Sequence, residues 1–135
     1  MAHVKLYNGT GDEKARKAQE RINKALGIVP ETYQAMGRDG AFLEAVLALE
    51  HAAGRNLPAK TRELVLIAVS AANGCDYCVH AHRALALKTG ATEEEVTAAL
   101  ELSAMMSLYN TFNKAIGLEH DVTPETLGVA EPVGG

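Results

Sequence analysis

Apolar residues recur at helical spacing along most of the chain, and the polar residues between them supply the stops. Ile22 and Leu26 carry one stripe up to Gly27, and Thr10 with Glu13 has the form of a capping box, so the spacing predicts a helix over about 11–26. Pro30 opens a short second helix that Gly40 is expected to break. Phe42, Leu43, Val46, Leu47 and Leu49 mark a third, ending near Gly54 in a left-handed cap. Asn56-Leu57-Pro58 introduces a fourth helix. Its run Leu64–Val69 has the composition of a buried strand, but it lies within a longer Ala-rich stretch closed by Asn73-Gly74, and the length favours helix. Cys75 to Lys88 forms a fifth segment stopped at Gly90. Thr92 with Glu95 is a second capping box, opening a long helix through to Gly117. Beyond Leu118, Thr123-Pro124-Glu125, Glu131-Pro132 and Gly134-Gly135 show no periodicity and read as an arm or frayed tail. Every periodic element is helical, which predicts an all-α bundle of about six helices.

Composition agrees with this. The chain has 135 residues, of which 47% are hydrophobic and 22% charged. A chain of this size is expected to form one domain over 1–135, with its core at about 40–117 and residues 118–135 as the arm. The net charge is −4 and there is no basic block, so the electrostatic footprint of a nucleic-acid or anionic-membrane binder is missing. No apolar run approaches a spanning length and the first residues lack the apolar centre of a signal peptide, so the expected compartment is the cytoplasm. The long last helix carries no charge from Leu102 to Asn113, and Met105, Met106, Leu108, Tyr109 and Phe112 point in several directions around it. A helix apolar on most sides must be covered on most sides, either by the other helices of the domain around a central last helix or, the preferred reading, by a neighbouring subunit on one face in a homo-oligomer.

The two cysteines, Cys75 and Cys78, carry the chemistry. They lie three residues apart with His82 four residues further on, and on a helix the three fall within an arc of about 60°, with His80 turned away. Cysteines at this spacing are close enough for a disulfide to open and close without unfolding the chain. A helix N-terminus favours a thiolate at Cys75, whereas the imidazole one turn on favours Cys78, and the spacing does not choose between them. Glu63 on the preceding helix shares a stripe with Leu66, Ile67 and Ser70. A carboxylate among apolar neighbours suits proton transfer, and the tight connection at Asn73-Gly74 brings it toward His82; the alternative is a solvated partner for Lys60. A zinc site made by Cys75, Cys78 and His82 with Glu63 is the rival to a redox pair, although zinc-binding cysteine pairs normally come with a second pair. A c-type haem is excluded, since Val79 and not His follows the second cysteine, and no cofactor is called for. Glu44 and His51 form a further acid–base pair on paper, read as surface charge.

The segment from Arg62-Glu63 through Asn73-Gly74-Cys75-Asp76-Tyr77-Cys78-Val79-His80-Ala81-His82 to Gly90-Ala91-Thr92 resembles the alkylhydroperoxidase D and carboxymuconolactone decarboxylase family over about 40–117. The resemblance implies an all-helical fold that assembles as trimers or hexamers. It implies a peroxidase cycle in which Cys78 attacks the hydroperoxide substrate, Cys75 resolves the sulfenic acid, Glu63 and His82 relay the proton, and an external dithiol reductant resets the pair. Tyr77 stands where well-known members carry histidine, a departure from their relay at this position, and it is a candidate relay or pocket residue. A family member in which Glu63 and His82 transfer protons on another substrate, as in a decarboxylase, is the remaining alternative. The lactone decarboxylases lack the cysteine pair.

Overall fold

The computed structural model describes residues 1–130, and these contain six α-helices in chain order. The all-helical expectation holds: α1 (Glu13–Leu26), α2 (Glu31–Met36), α3 (Gly40–Ala52), α4 (Ala59–Ala72), α5 (Asp76–Lys88) and α6 (Glu93–Lys114). They gather into two compact units, the first spanning Met1–Leu57 and the second beginning at Pro58. Glu131, Pro132, Gly134 and Gly135 lie outside the described residues.

In the first unit, α1 and α3 pack through Ala15, Ala18, Ile22 and Leu43, with Tyr33, Met36 and Leu47 against them. The start of α1 differs from the expected Thr10 box. Asp12 is the N-cap and its Oδ1 accepts the Ala15 N–H, because the extended backbone at Asp12 aims its carboxylate at that amide. Gly40 is likewise no helix breaker. It is the first residue of α3, capped by Asp39, and a Cβ there would overlap the Asp12 carboxylate and the Ala15 amide. Its own N–H donates to Asp12 Oδ2, so one carboxylate closes the N-termini of two helices. Behind it, the buried Gln19 side chain donates to the Tyr7 and Tyr33 carbonyls and accepts the Gly9 N–H, tying the chain before α1 into the unit.

The bonds from Ala15 and then Gly40 hold the Asp12 carboxyl below its ordinary value of 3.8. A depressed folded-state pKa stabilises the fold above that ordinary value, and the contribution disappears as pH falls through the lower folded one. Melting curves between neutral and acid pH should therefore show a loss of stability below about pH 4 that is smaller in Asp12→Asn, which keeps a capping oxygen without the charge. Equal acid sensitivity of the two chains would contradict this.

The second unit is built on α4, which packs against both α5 and α6. Its core is Ile67, Ala86, Ala91, Val96 and Ala99, with Leu64 against it. The small residues let the helix axes approach, and Ser103 Oγ donates to the Ala68 carbonyl across the α4–α6 contact at 2.8 Å. Two turns connect these helices by the same device. At the end of α5 the Ala91 N–H bonds the Ala86 carbonyl, the Gly90 N–H bonds Leu87, and Gly90 has φ +96°. Thr92 then caps α6 in the predicted reciprocal box with Glu95. Helix α6 runs 22 residues, about 33 Å, and stops at Lys114, one turn earlier than expected. Its last turn tightens to bonds from Ala115 to Phe112 and from Ile116 to Asn113 before Gly117 reverses the chain with φ +60°. Residues 118–130 form no helix, only a turn in which Thr123 and Thr126 exchange side-chain and backbone hydrogen bonds.

Candidate active site

Everything reactive in the sequence motif lies in the second unit, around the α4–α5 turn. That turn repeats the geometry at the end of α5. The Cys75 N–H donates to the Ser70 carbonyl (2.9 Å), the Gly74 N–H donates to Ala71 (3.1 Å), and Gly74 takes the left-handed conformation, φ +73°. A side chain at Gly74 would have space but would be strained in this backbone conformation. Cys75 is thus held twice: it closes the end of α4 and is at the same time the N-cap of α5. This corrects the helical-arc placement of the three residues, since Cys75 lies outside the helix with φ −92° and ψ 89°. Its sulfur turns back and accepts the Cys78 N–H at 3.2 Å.

The two cysteines are joined in a disulfide, with their Cα atoms 5.3 Å apart, as the spacing allows. One turn further along α5, His82 reaches across to α4, where its Nδ1 lies 2.8 Å from Glu63 Oε2. Both side chains are largely withdrawn from water, at 28% and 16% exposure. When Glu63 accepts a hydrogen bond from Nδ1–H, Nε2 is the acceptor nitrogen of the neutral ring. Glu63 is therefore no partner of Lys60. Lys60 pairs with Glu95 at 2.9 Å and, with the Thr92 N–H, holds that carboxyl below its ordinary range, clasping the start of α6 to α4. Arg83, next to His82, pairs with Glu93 and ties α5 to the same end of α6. These two clasps were not legible in the sequence; only the acidic first turn of α6, Glu93 to Glu95, signalled them.

The remaining candidates fall elsewhere. His80 is exposed and lies 3.7 Å from Asp76, one turn earlier on α5. Tyr77, between the cysteines, is about half exposed. Glu44 takes a bidentate bond from Arg21 in the first unit, which leaves the paper pair with His51 unformed. Among the described residues no three His, Cys, Asp or Glu side chains are grouped to hold a metal ion, and in the disulfide both sulfurs are bonded to each other.

Fold and site together define an all-helical protein with a redox-capable cysteine pair at a helix N-terminus beside a carboxylate–imidazole pair. The sequence pattern of the carboxymuconolactone decarboxylase family matches residues 40–119, and the chain belongs to that family. A relative, the alkyl hydroperoxide reductase AhpD of Hyphomonas neptunium, is 29% identical over 98 residues, which are 62% of this chain and 54% of the relative. The chain thus spans about half the length of that curated relative. Among solved structures, the alkylhydroperoxidase AhpD core of Rhodospirillum rubrum superimposes with a TM-score of 0.77 at 25% identity, covering 96% of this chain and 99% of the other.

Proposed function

We propose that this protein is a thiol-dependent alkyl hydroperoxide reductase that cycles Cys75 and Cys78 between dithiol and disulfide. The observation that carries this reading is the bonded cysteine pair one helical turn from the Glu63–His82 hydrogen bond. The name of the Hyphomonas relative supports it. In the reduced protein the Cys78 thiolate attacks the terminal oxygen of the hydroperoxide and the O–O bond breaks. The departing alkoxide takes a proton from the His82–Glu63 pair, leaving an alcohol and Cys78 sulfenic acid. Cys75 then attacks the sulfenic sulfur, water leaves, and the disulfide forms. A dithiol reductant returns the pair to two thiols, so hydroperoxide and dithiol yield alcohol, water and disulfide. Such a cycle suits the reducing cytoplasm.

Thiol titration tests this. One equivalent of an alkyl hydroperoxide should take the reduced protein from two free thiols per chain to none, with a mass loss of two hydrogens. Thiols that oxidise no faster than free cysteine would dismiss the reading.

The same proposal includes a homo-oligomer, a trimer or hexamer, because α6 leaves so much apolar surface uncovered. Leu102, Met105, Met106, Leu108, Tyr109 and Phe112 are all 45% or more exposed on a stretch without charge. Light scattering on the eluting protein should give a multiple of the 14.3 kDa chain mass, and a monomer would remove this part of the proposal.

A further inference from the structure

We infer that Glu95 is a positioning residue for the proton relay: it holds Lys60 at the start of α6 and so reserves the Glu63 carboxylate for His82. This rests on Glu63 and His82 being the pair that moves the proton, and adds what keeps that pair intact. Lys60 stands three residues before Glu63 on α4, where side chains are neighbours on the helix surface. An ammonium on a flexible stem at that spacing is an ordinary partner for a carboxylate, and a lysine that took Glu63 would compete with His82 Nδ1 for its acceptor. In the folded chain the lysine is engaged elsewhere. Its Nζ lies 2.9 Å from Glu95 Oε1, while Glu95 Oε2 accepts the Thr92 N–H at 2.9 Å. One oxygen of this carboxylate is thus fixed by the helix cap and the other is presented to the lysine, in a first turn that favours negative charge.

The other charged groups nearby have partners or places of their own. Asp76 and His80 lie 3.7 Å apart along α5. Arg83, beside His82, is bonded to Glu93. Glu94 is exposed and turned about 100° from Glu95 around α6. Lys60 and Arg83 therefore both end on the acidic first turn of α6, and of the two it is Lys60 that shares a helix with Glu63. Neutralising Glu95 alone leaves the rest of this end in place. Glutamine serves at the third position of a capping box as glutamate does, and the bond from Arg83 to Glu93 still ties α5 to α6. What changes is that Lys60 is released three residues from Glu63.

Three variants test this: Glu95→Gln, Lys60→Met and the two together. A clasp that only holds α6 is broken alike in all three, whereas only Glu95→Gln leaves a lysine free to claim Glu63. The readout is the tautomer of His82 in the oxidised protein, taken from the chemical shifts of its two ring nitrogens through the ring C–H protons and assigned with His82→Gln. At about pH 9 an ordinary imidazole is neutral and a lysine still charged. Wild type, Lys60→Met and the double variant should hold the Nδ1–H form. In Glu95→Gln its share should fall by about twofold or more, as the carboxylate that fixes it turns to Lys60. In the reduced protein, the single-turnover rate of thiol loss to an alkyl hydroperoxide should fall about tenfold in Glu95→Gln, a part of the ~10²–10⁴-fold that positioned acid–base groups supply, and recover in the double variant. An Nδ1–H share that is unchanged in Glu95→Gln, falls alike in all three variants, or is already minor in the wild type overturns the inference, as does an unchanged rate in Glu95→Gln where the wild type reacts. Wild-type thiols that ignore the hydroperoxide count against the peroxidase reading instead, and the ring measurement, which needs no peroxide, still decides the place of Glu95.

Discussion

Cys78→Ser should abolish hydroperoxide turnover, a loss on the order of 10³-fold or more, while Cys75→Ser should still consume one equivalent and then stop. The asymmetry follows from the roles proposed for the two thiols. Removing the nucleophile removes the group that accepts oxygen from the peroxide in this mechanism, and a serine hydroxyl is not ionised to any useful extent near neutral pH. Removing the resolving thiol leaves the first step intact and strands the enzyme as Cys78 sulfenic acid, which a sulfenic-acid-specific reagent labels and mass spectrometry locates. Neither change disturbs the buried core, since Cys75 and Cys78 are both outside the Ile67–Ala86–Ala91–Val96–Ala99 cluster. Circular dichroism should therefore show the helices in place in both variants. Full turnover in Cys78→Ser would end the mechanism, and a single-turnover burst from Cys78→Ser but not from Cys75→Ser would exchange the roles.

The second large effect belongs to the proton relay. Glu63→Gln keeps a side chain of the same size able to accept a hydrogen bond from His82 Nδ1, yet removes the charge that stabilises an imidazolium. Loss of positioned acid–base assistance costs about 10²–10⁴-fold in rate, and the expected fall in peroxide-dependent thiol oxidation lies in that range. The readout is the rate of thiol loss in a single turnover of reduced protein, which excludes the reductant step. A control change at Glu44, whose partner is Arg21 in the other unit, should leave that rate unaltered. If Glu63→Gln reacts at the wild-type rate, the 2.8 Å bond between Glu63 and His82 is a structural contact and not a relay.

Much of this site was legible before any coordinates. The helices announce their ends through local backbone chemistry that a linear chain displays openly: left-handed glycines at Gly27, Gly74 and Gly90, and the Thr92–Glu95 box. The residue types at 63, 75, 78 and 82 and the short α4–α5 connection left two partners for Glu63, His82 and Lys60, and it is His82 that it meets. The misread positions share a cause. Thr10 and Asp12 are both plausible caps, and Gly40 in isolation is a breaker. The difference lies in a contact between the starts of α1 and α3, where one carboxylate serves Ala15 and Gly40, residues 25 positions apart in the chain.

What the sequence determined by itself, then, is whatever depends on neighbours within about one helical turn: the helical periodicity, the Thr92–Glu95 cap, two cysteines close enough to pair, and the uncharged stretch of α6. Only the tertiary structure decided that Lys60 turns to Glu95 and leaves Glu63 to His82, and that Cys75 is held between the end of one helix and the start of the next. Both outcomes are competitions. A lysine has several carboxylates within reach of its flexible stem, and a cysteine at a junction can continue either helix. Packing α5 and α6 onto α4 brings one set of partners to bonding distance and carries the others away.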